Sequence, residues 1–242
     1  MLKLENINVT LNGSPILENL NATIHSGDVI MIIGPNGTGK STLFNAISGR
    51  LTPQSGRIII NDQDITPLSE LQRTKFIARL FQDPKMNTVD NLSVHENIVL
   101  AMLKNATVRP KKISSQLPDE VMDLLSLVNG SVDKLLKRPM GGLSGGQRQM
   151  VALMMATITP PQMLLLDEPT AALDPIATKK MLSFSIPFIE KHKITTLFIT
   201  HDLEFAKTLG NRLWIMKDKT IKHDLGPEKQ SLSIGDLNEL LH

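Results

Sequence analysis

Residues 29–42, VIMIIGPNGTGKST, decide the fold. Val29-Ile30-Met31-Ile32-Ile33 is continuously apolar, as expected of a strand buried on both faces of a parallel sheet. Gly34–Ser41 then follows the pattern G-x-x-x-x-G-K-[ST]. Glycines let backbone N–H groups turn inward around phosphate oxygens, where side chains would block them. Lys40 can reach the terminal phosphates, and the Ser41 hydroxyl can sit on Mg²⁺. Ser41–Ser48 reads as a helix, whose N-terminus favours an anion. Strand, loop and helix in this order predict a nucleotide triphosphate site.

Composition bounds the rest. The 242 residues suffice for one large domain or for a core domain with a smaller insert, and 41% hydrophobic content supplies a core. A formal charge of +2 gives no reason to expect a nucleic-acid partner. There is no cysteine, which excludes disulfide and thiol chemistry. The opening MLKLENINVT meets polar residues at once and does not read as a signal peptide. No apolar run approaches the roughly 20 residues that cross a bilayer.

Met163–Leu166 is a second buried-strand run, ending in Asp167-Glu168. An aspartate there can hold Mg²⁺ through its water shell, and the next carboxylate can polarise an attacking water. Taken alone, a carboxylate pair capping the turn at Pro169-Thr170 is an equally good account. The stretch LSGGQ, Leu143–Gln147, narrows the choice, because it would arise by chance in roughly one chain of this length in a few thousand. Ser144 and the N–H groups of Gly145 and Gly146 can form another phosphate cradle ahead of a helix over Gln147–Ile158.

With these motifs the chain resembles the ATP-binding cassette subunit of an ABC transporter over nearly its full length. Gly34, Pro35, Asn36, Gly37, Thr38, Gly39, Lys40, Ser41 and Thr42 match the Walker A loop. Gln82 in LFQDP matches the Q-loop, and Ser144, Gly145, Gly146 and Gln147 fall in the signature. Met163–Asp167 matches Walker B, Glu168 the catalytic carboxylate, Ala171–Asp174 the D-loop and His201 in ITHD the switch histidine. Gln82 and His201 are weak signals singly; six motifs in family order are specific as a set.

The resemblance implies an α/β, P-loop NTPase (RecA-like) core with an antiparallel β-subdomain and an inserted α-helical subdomain, all one nucleotide-binding domain over 1–242. Residues 1–82 and 160–242 would form the core and 83–159 the helical subdomain. The alternation Leu20, Ala22, Ile24 fits the antiparallel layer, and Ser93–Leu103 and Pro118–Val128 have helical apolar spacing. The polar segment 104–116 between them reads as a solvated loop, and its Arg109, Lys111 and Lys112 either face solvent or meet lipid headgroups.

The resemblance further implies two copies, head to tail, sandwiching two ATP molecules. Lys40 of one and Ser144 of the other would contact the same γ-phosphate. Glu168 would be the general base and His201 would hold it in line, with Ser41, Gln82 and Asp167 around Mg²⁺. The subunit would sit peripherally on the cytoplasmic face of the inner membrane. It would drive transmembrane permease subunits and act indirectly with a periplasmic or lipid-anchored solute-binding protein. FQDPKMNTVDNLSVHENI (81–98), LMMATITPPQ (153–162) and LSIGDLNELL (232–241) resemble a bacterial importer group whose solutes include aromatic amino acids. A soluble ABC ATPase acting in cluster assembly or another non-transport process is the other reading. The chain ends soon after its last expected strands, without room for the C-terminal regulatory domain of some importer ATPases.

The chain departs from the family at three places. Met155 stands where arginine is common and Ala171 where serine is frequent. Leu11, in VTLNGSPIL, takes the place of an aromatic that stacks on adenine; the chain has no tyrosine at all.

Overall fold

A computed structural model describes residues 1–103, 117–128, 131–171 and 173–242. The basic cluster Arg109, Lys111 and Lys112 lies outside these residues. In chain order the elements are β1 (Leu2–Leu11), β2 (Ser14–Ile24), β3 (Val29–Ile33), α1 (Lys40–Ser48), β4 (Ser55–Ile60), β5 (Gln63–Asp64), α2 (Glu70–Arg73), β6 (Ile77–Leu80), α3 (Val94–Leu103), α4 (Asp119–Val128), α5 (Val132–Leu136), α6 (Gly145–Thr157), β7 (Met163–Asp167), α7 (Pro175–Lys191), β8 (Thr195–Ile199), α8 (Leu203–Thr208), β9 (Arg212–Lys217), β10 (Thr220–Leu225) and α9 (Ile234–Leu241). Among the described residues no helix is long and apolar enough to cross a membrane.

Contacts divide the chain into two compact units. Met1–Arg79, Gln162–Glu168 and Lys193–His242 form the first; Leu80–Pro161 with Pro169–His192 forms the second. The sequence boundaries put all of 160–242 in the core, whereas contacts group α7 with the helical residues. The reason is local. Gly146 at the start of α6 lies so near α7 that even a Cβ there would sit at contact distance, 3.4 Å from Ala177 Cβ and 3.5 Å from Leu173 Cδ2.

The first unit carries two sheets. One has the order β2-β1-β4-β5, the other β10-β9-β3-β8-β7-β6. β3 runs parallel to β8 and β9, and β7 parallel to β8. All five residues of each of β3, β7 and β8 are buried, the pattern of strands covered on both faces. β1 and β2 alternate instead, because one face is solvated. In β1 the inward set shifts from Leu2 and Leu4 to Ile7 and Val9. A bulge at Asn6 (φ 51°) absorbs the extra residue, and the Asn6 N–H donates to Asn21 Oδ1 at 2.9 Å.

Helix α1 joins both sheets. Its Leu43, Phe44 and Ile47 are fully buried in one core with Ile30, Leu165, Leu197 and Trp214. Each such side chain contributes about 1.5–3 kcal/mol on burial, so α1 and the loop before it are held from three points. The helix ends at Gly49, which is left-handed (φ 84°). Buried Arg73 then closes the free carbonyl end, donating to Ala46 O at 2.7 Å and Ile47 O at 2.9 Å.

In the second unit α6 spans Gly145–Thr157, two residues earlier than the expected start. It packs with α3 and α4 through Ile98, Val121, Leu125, Met150, Leu153 and Met154. Met155 lines an apolar pocket with Ile98, Val121, Met154, Thr157, Ile158 and Phe188. An apolar thioether suits this lining, where a guanidinium would lose hydration.

Candidate nucleotide and catalytic site

The loop after β3 is shaped by contacts that admit only glycine. A Cβ on Gly34 would meet Met216 O at 2.4 Å, and one on Gly39 would meet Leu17 Cδ2 at 2.6 Å. Gly37 and Gly39 are left-handed (φ 82° and 95°), a region glycine enters without cost. Thr38 Oγ1 donates to Pro35 O at 3.0 Å and fastens the turn. Pro35, Asn36 and Gly37 are exposed at its crest. No side chain caps the first turn of α1, so its N–H groups are left for an anion.

Lys40 is buried under this loop, and its Nζ donates to Gly34 O at 2.7 Å and Pro35 O at 3.0 Å. Burial pushes its ammonium below the ordinary lysine value, while the carboxylates of Glu168 and Asp167 push back. Ser41 is exposed and Thr42 half-buried one step along the helix.

β7 delivers the carboxylates. Asp167 is its last residue and is buried. Glu168 follows in the left-handed region (φ 47°), a conformation that a side chain of this size adopts at a cost of order 1–3 kcal/mol. Its N–H donates to Ile199 O at 3.2 Å, which ties the turn to β8. His201 follows β8, and its Nε2 lies 2.8 Å from Glu168 Oε1. An ionised carboxylate only accepts, so Nε2 carries the hydrogen of this bond. The left-handed turn, held by β8, thus presents a half-buried carboxylate whose orientation an exposed histidine fixes.

Lys40, Asp167, Glu168 and His201 therefore come together in the first unit. Gln82, Ser144, Gly145, Gly146 and Gln147 lie in the second. Gln82 is exposed just after β6. Ser144 caps α6: its Oγ accepts from the Gln147 N–H at 3.3 Å, and Gln147 Oε1 accepts from the Ser144 N–H at 3.2 Å. The side chains expected to face a ligand are thus engaged with each other. S-G-G-Q is itself an S-x-x-Q capping box, a signal readable from sequence. Leu11 ends β1 opposite Ser14 and is 38% exposed.

One residue without an expected role enters the site. Arg79 in β6 donates from Nη2 to Asp167 Oδ2 at 2.7 Å and from Nη1 to Asn45 Oδ1 at 2.7 Å. A lone arginine inside the apolar run Ile77–Phe81 was the available signal.

The donor set suits a hard, partly hydrated cation. Among the described residues no three His, Cys, Asp or Glu side chains cluster to make a protein cage. One serine hydroxyl and a strand-end aspartate beside a phosphate cradle match Mg²⁺, which keeps waters and takes phosphate oxygens rather than a dedicated cage.

This arrangement defines an ATP-hydrolysing cassette, and the chain belongs to the ABC transporter family, whose model matches residues 17–171. It is 37% identical over 245 residues to a tyrosine transport ATP-binding protein of Clostridioides difficile, covering 99% of this chain and 98% of that one. It is 32% identical over 230 residues to the spermidine/putrescine import ATP-binding protein PotA of Photobacterium profundum, covering 95% of this chain and 59% of that one. The chain thus spans about three fifths of that longer relative. Among solved structures, a dimeric post-hydrolysis state of an ATP-binding cassette bound to ADP and Pi matches with a TM-score of 0.78 and 26% identity. That match covers 93% of this chain and 98% of that one.

Proposed function

We propose that this chain is the ATPase subunit of a bacterial importer for a small solute of the amino-acid class, working as a head-to-tail homodimer on membrane permease subunits. It would sit on the cytoplasmic face, with a solute-binding protein delivering the cargo outside. The observation that carries the catalytic part is the left-handed Glu168 held by His201 in the same unit as the Lys40 loop. The amino-acid class rests on likeness to a tyrosine transport protein across nearly the whole of both chains.

The roles follow from chemistry. Gly34–Gly39 and the start of α1, with Thr42, bind the phosphates through backbone N–H groups, and Lys40 exchanges its loop carbonyls for phosphate oxygens. Glu168 takes a proton from water as the water oxygen bonds to the γ-phosphorus and the bond to ADP breaks. His201 orients Glu168. Ser41, Asp167 and Gln82 would hold Mg²⁺, which when bound would supply positive charge against the phosphates. Ser144, Gly145, Gly146 and Gln147 of the partner copy close the site through the exposed start of α6. Leu11 covers the base.

Glu168→Gln tests the chemistry. It should cut turnover by roughly 10²–10⁴-fold and accumulate as an ATP-bound dimer in a sizing column. Full-rate hydrolysis by a monomeric variant would refute the assignment.

A further inference from the structure

The carboxylate of Asp167 has a cationic partner within the protein itself. Arg79 and Asp167 are 8% and 11% exposed, and the guanidinium reaches Asp167 through Oδ2 alone. It is also held through Nη1 and against an aromatic ring. Nη1 donates to Asn45 Oδ1 at 2.7 Å and Ser48 Oγ at 3.4 Å, and the carbon centre lies 5.7 Å from the Phe44 ring centroid. Asn45 and Ser48 belong to α1, so the helix that follows the phosphate loop holds the arginine in place. Farther out, Arg50 and Glu70 act on Arg79 with opposite signs.

The charge count is the consequence. Lys40 and Arg79 stand against Asp167 and Glu168, two cations to two carboxylates. Without Arg79 the same site carries a net negative charge, with a buried carboxylate facing an incoming polyanion. A site that lacked this cation would repel metal-free nucleotide more strongly than metal-bound nucleotide.

We propose that Arg79 is a resident counter-ion and positioning residue for Asp167, which lets this cassette load nucleotide without Mg²⁺ and leaves Oδ1 for the metal's water shell. The proposal rests on the reading of the loop as an ATP site. Its distinct content is that metal-free and metal-bound affinities respond differently to Arg79.

The test is titration of a fluorescent N-methylanthraniloyl-ATP in EDTA and in Mg²⁺, with thermal melting of each nucleotide-free variant as the check on folding. Arg79→Met keeps an apolar side chain of comparable length and removes the charge. It should weaken binding in EDTA by roughly fifteen- to thirtyfold, as for a unit charge about 8–10 Å away at an effective dielectric near 20. In Mg²⁺ the loss should be under about threefold, because the dication supplies the missing charge. Arg79→Lys should recover most of the EDTA affinity. The double variant Arg79→Met/Asp167→Asn removes both charges, so it avoids an unpaired buried carboxylate and decides the question even if Arg79→Met does not fold. It should bind in EDTA within about threefold of native protein. Equal losses in EDTA and Mg²⁺ for Arg79→Met, or a double variant far weaker than native in EDTA, would overturn the proposal. Failure of native protein to bind in Mg²⁺ would instead overturn the ATP-site reading.

Discussion

The phosphate loop and the signature are both glycine-rich turns that open a helix, yet they are built oppositely. In the loop the side chains serve the turn: Thr38 and Lys40 bond to loop carbonyls, and α1 begins without a side-chain cap. In the signature the cap is complete, with Ser144 and Gln147 satisfying each other. The first is a cradle for an anion, held in shape by its own lysine. The second is locally self-sufficient, and its Ser144 and Gly145 are exposed, so its fold needs no ligand to satisfy it. One copy therefore holds the carboxylates, histidine and lysine in one unit, and under the proposed function its signature is the surface offered to another copy.

The comparison breaks hardest at Lys40. Lys40→Ala removes the loop's cation and the two bonds that hold Gly34 and Pro35 from within. Productive MgATP binding and turnover should both disappear in equilibrium titration and phosphate release. Normal turnover would return the loop to an ordinary glycine turn.

A middle effect is expected at His201. It is half exposed, so little stability rides on it, but it fixes the Glu168 carboxylate at 2.8 Å. His201→Ala should keep nucleotide affinity within about threefold and lose turnover by roughly 10²-fold or more, since proton transfer depends on a positioned base. Unchanged hydrolysis in a steady-state assay would make the contact incidental.

The smallest effect is expected at Leu11. A leucine at the proposed base-contacting position would cover adenine without offering a ring, so affinity should rest on the phosphates and GTP should bind nearly as well as ATP. Leu11→Tyr should tighten ATP binding by roughly two- to tenfold, from a stacking term of about 0.5–1.5 kcal/mol. Strong rejection of GTP by native protein, or no gain in the variant, would move the base-contacting position elsewhere.

Much of this was legible in sequence because the pattern is periodic or punctuated. The apolar runs Val29–Ile33 and Met163–Leu166 are strands buried on both faces, and Gly34 and Gly39 sit where a Cβ would collide. Other features depend on tertiary neighbours. The bulge at Asn6 moves the inward face of β1 by one residue, and the only local trace is an asparagine tolerant of positive φ. The grouping of α7 follows from close approach at Gly146, which no spacing within α7 records. Arg79 reads locally as an interruption of a strand; its meaning comes from Asp167, 88 residues away in the chain.

The proposal that two copies share each site is tested most directly by mixing two variants. Lys40→Ala disables the loop half and Ser144→Arg the signature half, and each alone should be inactive. In a one-to-one mixture, heterodimers bring an intact loop from one chain to an intact signature from the other. Turnover should return to about a quarter of native, from half the dimers carrying one good site of two. A mixture no more active than the two variants assayed apart would contradict a site completed by a second copy.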